Sequence, residues 1–102
     1  MHRASDRVEQ APWLDRLAEA ADALELDDQT RSTAVDLYLS AVPEDDRSKP
    51  AQLAASLYAA TLLASDGRAQ TEVADAVGVS RLVVQRRWKD VLRSAGFQPP
   101  DW

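Results

Sequence analysis

The stretch from Ala51 to Ala64, AQLAASLYAATLLA, limits the fold more than any other part of this chain. It carries no charge. Leu53, Leu57, Tyr58, Thr61 and Leu62 recur at helical spacing, and the positions between them are mostly Ala or Ser. A helix that is apolar or small on most faces survives in water only when other helices surround it. The chain is therefore expected to be all-helical, with this segment at its centre.

The neighbours are legible on either side. Pro12 suits the first turn of a helix, where its missing N–H costs nothing, and Trp13, Leu14, Leu17, Ala21 and Leu24 continue at helical spacing to about Leu26. Asp27-Asp28 offers an N-cap for a second helix through Ala34, Val35, Leu37, Tyr38, Ala41 and Val42, ending near Pro43. Residues 44–50, EDDRSKP, read as a charged loop in which Ser48 can cap and Pro50 can open the central helix. Ser65-Asp66-Gly67 makes the turn out of it, and Gly96, Pro99 and Pro100 stop the last helix. Strand signals and internal repeats are absent, and the short connections suit a compact bundle.

Gln70–Arg93 reads as two helices joined by a tight turn. Val73, Ala74 and Val77 form a short apolar stripe, and Gly78 can take the left-handed conformation that ends a helix. Small Ala74 lets a second helix cross close by. Ser80 is placed to cap that helix with its hydroxyl. The pattern is that of a helix-turn-helix, and its second helix carries Arg81, Gln85, Arg86, Arg87, Lys89 and Arg93, side chains that reach phosphates and base edges.

Charge separates the two parts of the chain. The net charge is −5, which alone argues against a generic nucleic-acid binder. Residues 68–94 nevertheless hold six basic side chains against three acidic ones, a net of +3, whereas residues 1–67 stand at −7. A basic helix on an acidic body favours one direction of docking. Asp outnumbers Glu twelve to five, and Lys49 and Lys89 are the only lysines beside ten arginines. That balance suggests a salt-adapted, high-GC microbial source, in which hydrated carboxylates maintain solubility and salt weakens phosphate binding.

Other chemistry has little to work with. There is no cysteine, so disulfides and Cys-ligated zinc are excluded, and His2 is the only histidine. No cofactor or metal is expected, and no motif joins a nucleophile, a base and an orienting group, so no enzyme is expected. No apolar run reaches membrane-spanning length, and MHRASDRVEQ lacks the apolar core of a secretory signal. A cytoplasmic protein is expected.

Taken together, the segments resemble a cyclin-like repeat of the transcription factor IIB family, especially its archaeal members, over roughly residues 13–93. DDQTRSTAVDLYLSAV is similar to the family's second helix; RSKPAQLAASLYAATLL to its Arg-Ser turn and Ala-rich central helix; AQTEVADAVGVSRLVVQRRWKDVL to its last two helices. The resemblance is greatest to the C-terminal repeat. It implies a five-helix bundle with a buried third helix and a helix-turn-helix from helices four and five, and a chain acting in archaeal transcription as a small regulator or accessory factor. In that family the pair reads promoter DNA beside the TATA box while the protein grips the TATA-binding protein. Carried over by position, Ser80, Arg81, Leu82, Gln85, Arg86 and Lys89 would face DNA, with Gln85 or Arg86 first in line for base edges. Arg68, Arg87 and Arg93 would suit phosphates. Val79, Val84, Trp88 and Val91 would face inward.

Three departures stand against the family pattern. Ala69 occupies the position of a capping Thr. For lack of cysteine a zinc ribbon is not expected, and neither is a second repeat. One repeat makes a small footprint, so duplex binding by a monomer is expected to be weak.

A structural reading accompanies each of these features. The helix pair also occurs in cyclin folds that bind no DNA, and the basic helix could simply be a solvated face. A protein-interaction module, holding a partner in a groove between helices three and five, is the alternative. Trp13, Trp88, Tyr38 and Tyr58 are expected in the core. Phe97 and Trp102 either fold back or offer an apolar contact. Asp45-Asp46 belongs to a loop rather than a catalytic dyad. The expected organisation is a flexible N-terminus over 1–10, a helical domain over 11–96 with the helix-turn-helix at 70–94, and a tail over 97–102. Oligomeric state is left open.

Overall fold

The computed structural model describes residues 8–101; the expectations for His2, Trp102 and most of the N-terminal segment fall outside them. Five α-helices lie wholly within the described residues, in order α1 Ala11–Ala23, α2 Asp28–Ser40, α3 Lys49–Leu63, α4 Gln70–Val77 and α5 Arg81–Ser94. A 3-10 turn, Asp46–Ser48, precedes α3, and no strand occurs among the described residues.

The central position of α3 follows from its composition. Every side chain from Ala51 to Thr61 is buried, and α1, α2, α4 and α5 all pack on it. The widest seam is with α5, where Tyr58 meets Trp88 edge to face, ring centroids 5.4 Å apart at 82°. Around this seam gather Leu17, Ala21, Leu37, Tyr38, Leu53, Leu57, Val73, Val84 and Val91. Tyr38 is in the core as expected and donates its hydroxyl to Gln10 Oε1 at 3.0 Å. Burial, assisted by the nearby Asp46 charge, pushes its pKa up to about 12. Trp13 is only partly buried and lies under the Lys49 ammonium, 5.6 Å from the ring centroid.

Helix ends show where local signals hold and where they fail. Asp27 caps α2, accepting from Thr30 N at 2.7 Å; that backbone hydrogen bond holds its carboxyl below the usual range. Ser48 makes no cap bond. Asp45 acts instead, accepting from Arg47 N at 3.0 Å, because the chain enters α3 through the 3-10 turn. At the end of α3 the left-handed position falls on Ser65 (φ 57°) and not on the glycine of the Ser-Asp-Gly turn. Asp66 N then reaches back to Thr61 O at 2.9 Å and Ser65 N to Leu62 O at 3.1 Å, closing a Schellman motif two residues earlier than Gly67 would. Glu25 (φ 57°) ends α1 in the same way.

Candidate nucleic-acid interface

The α4–α5 unit starts without a side-chain cap. Ala69 has the extended backbone of an N-cap but no acceptor, so only half of a capping box forms: Ala69 N donates to Glu72 Oε1 at 3.3 Å. Ala69→Thr supplies the missing acceptor and is expected to raise stability by about 1 kcal/mol, read as a shift in the urea midpoint. The C-terminal end is better closed. Gly78 adopts φ 92° and ψ 36°, and its N–H donates to Ala74 O at 2.8 Å. Arg16, from α1, donates its Nη2 to Val77 O at 2.8 Å, satisfying a carbonyl that the helix leaves open.

Ser80 sits at the N-cap of α5 with the expected extended backbone, but its hydroxyl accepts no cap hydrogen bond. The side chain is exposed and available to other partners.

At 100° per residue, Arg81, Leu82, Gln85, Arg86, Lys89 and Arg93 fall on one arc of about 140°, with Arg87 on the far side. The structure follows this division. Arg81, Leu82, Gln85, Arg86 and Arg93 are exposed and Lys89 is partly so, while Val84, Trp88, Val91 and Leu92 are buried beneath them. Val79 packs against the core. Leu82 leaves an apolar side chain, 47% exposed, among polar neighbours. The Lys89 ammonium lies 5.5 Å from the centroid of the Trp88 ring, and Arg93 pairs with Asp90 at 2.7 Å.

Arg68 and Arg87 are placed elsewhere. Arg87 turns back toward α3 and donates to Gln52 Oε1 at 3.3 Å. Arg68 donates to Leu24 O at 2.7 Å and pairs with Asp66 at 3.4 Å, tying the entry of α4 to the end of α1. Both are half-buried, so both serve the fold while the arc on α5 stays open.

Gln70, which the sequence did not single out, joins the arc. Its Nε2 donates to Gln85 Oε1 at 2.5 Å, and Arg81 Nη1 donates to its Oε1 at 3.3 Å. This contact crosses from α4 to α5, so spacing within either helix carries no sign of it.

In the seam between α3 and α5 the rings of Tyr58 and Trp88 meet and both are buried. A cleft of about 330 Å³ lies between the start of α2 and the end of α3, lined by Asp27, Gln29, Thr30, Thr33, Leu63 and Ala64. Among the described residues no group of His, Cys, Asp or Glu side chains could hold a metal ion. No helix there is long and apolar enough to cross a membrane.

Comparison with known proteins bears directly on this bundle. The family model for the "Transcription factor TFIIB repeat" matches residues 9–94, from just before α1 to the end of α5. Two curated relatives, each named transcription initiation factor IIB, come from Pyrococcus abyssi and Pyrococcus horikoshii; both are 31% identical over 83 residues. Those residues make up 78% of this chain and 28% of each relative, so the chain spans less than a third of the proteins it matches. A match that takes in all five helices, including the buried α3 and the α4–α5 turn, leaves one assignment: the chain belongs to the transcription factor IIB family, as a cyclin-like repeat.

Proposed function

We propose that this chain works in transcription as a factor-IIB-like regulator or accessory factor, contacting promoter DNA through the exposed arc of α5, alone or beside the TATA-binding protein. The carrying observation is the arc itself. Arg81, Gln85 and Arg86 stand exposed on a helix that buries Val84, Trp88, Val91 and Leu92, in a chain whose net charge is −5. Basic side chains concentrated on one helix of an acidic body direct a polyanion to that helix. Leu82 beside them suits the methyl group of thymine, and Gln85 and Arg86 suit purine edges. We read the chain as a binding protein and not an enzyme, in keeping with relatives named as initiation factors.

The test is titration of a promoter-type duplex at several salt concentrations, with and without the TATA-binding protein. Affinity is expected at low salt and should fall as salt rises, with a log–log slope of about −0.9 for each phosphate engaged. Arg81→Glu reverses a charge on the arc and is expected to weaken binding by about tenfold. Absence of binding at low salt in both settings overturns the proposal.

A second reading is a protein-interaction module. The cleft beside Leu63, itself 41% exposed, gives such a partner a place besides the α3–α5 face. Retention of a protein partner by the Arg81→Glu variant, together with no duplex binding by the parent chain, would select this reading.

A further inference from the structure

The relay on the α5 arc has a direction. Arg81 donates to Gln70 Oε1, and Gln70 Nε2 donates to Gln85 Oε1. A guanidinium has only donors, so the amide of Gln70 must turn its oxygen to Arg81 and its NH2 to Gln85. Gln85 must then offer its own oxygen to Gln70, and its NH2 is left for the solvent side. The orientation of two otherwise ambiguous amides is thus set by one donor-only neighbour. Gln85 is exposed and Gln70 half-buried, so the relay ends at the surface that a duplex would meet.

We infer that Gln70 is a positioning residue that fixes the outward edge of Gln85 as a hydrogen-bond donor, so that Gln85 selects guanine in a bound duplex. This rests on the proposed DNA contact. A glutamine free to turn reads adenine bidentately, accepting from N6 and donating to N7. With its oxygen turned inward to Gln70, Gln85 presents its NH2 at the outward edge. Guanine offers two adjacent acceptors, O6 and N7, to such a group. Thymine (O4) and adenine (N7) offer one each, and the exocyclic amino groups of adenine and cytosine face it donor to donor.

Two measurements test the inference. In the first, the full chain is incubated with a pool of randomised duplexes, and the base enriched under Gln85 is located by comparison with Gln85→Ala. Guanine is expected there with a preference of about tenfold, lost in Gln85→Ala. Gln70→Glu still accepts from Arg81, but its carboxylate cannot donate. Gln85 must then turn its NH2 inward and its oxygen outward, and the preference moves to adenine or cytosine. An unchanged guanine preference in both Gln70→Glu and Gln70→Met overturns the inference while leaving DNA binding standing. No enrichment by any variant overturns the DNA contact and the selection of guanine with it.

The second measurement needs no DNA. In nitrogen-edited NMR spectra of the free chain, Arg81→Ala is expected to move the Gln85 side-chain amide signals, and to leave them in place when Gln70→Met is already present. An equal movement in both backgrounds means that no relay connects the two residues, and overturns the inference.

Discussion

Trp88→Ala is expected to destabilise the domain by about 3–5 kcal/mol, the largest single loss among these substitutions. Trp88 is 1% exposed and heads the fully buried side chains by volume. Its ring fills the seam between α3 and α5 and meets Tyr58 edge to face. Removing it opens a cavity against a helix that already packs on four others, so little of the void can be closed by movement. A domain of this size has a total stability of about 5–15 kcal/mol. The variant should therefore lie close to its unfolding transition at ordinary temperature, with a clear fall in the urea midpoint followed by circular dichroism. Trp88→Phe keeps an aromatic edge for Tyr58 and should lose less. Equal losses for the two would place the energy elsewhere than in the α3–α5 seam.

Gly78→Val is expected to cost about 1–3 kcal/mol through backbone strain. At φ 92° a β-branched side chain is strongly disfavoured. Space is not the obstacle, since an added Cβ would lie 3.6 Å from Arg16 Nη2, an ordinary contact. Conformation and crowding can thus be told apart: Gly78→Asn tolerates the left-handed region better and should lose less than Gly78→Val despite its polar bulk. Thermal unfolding of the pair measures this. Unchanged stability of Gly78→Val would show that the turn is built differently.

These two positions also mark what could be read from residues alone. The burial of α3 was legible because none of its faces is polar enough for water. Gly78 was legible because so few residues accept its conformation, and the inward set Val84, Trp88 and Val91, implied by the family resemblance, is buried. Caps were less reliable. Ser48 and Ser80 have the right chemistry, yet a cap also needs the hydroxyl turned toward the helix, and Ser48 is bypassed by a 3-10 turn. Ser65 and Glu25 take left-handed positions that their residue types do not advertise.

On the candidate interface, charge counting and geometry part company. Arg68 and Arg87 add to the basic total, but hydrogen bonds to Leu24 O and Gln52 hold them to the body. Helical angle alone sets Arg87 apart, and could have removed it from the outward set. Gln70 had no comparable signal, because its partners lie on the next helix and the pairing depends on how α4 and α5 cross.

The hydrogen bond from Arg16 to Val77 O joins residues 61 positions apart. The α4–α5 unit is consequently not portable. Cut from the chain, α4 and α5 would lose the side chain that fastens their turn as well as the helix they lean on. Transplanted to another scaffold, the pair would need a donor in the same place to keep its bend.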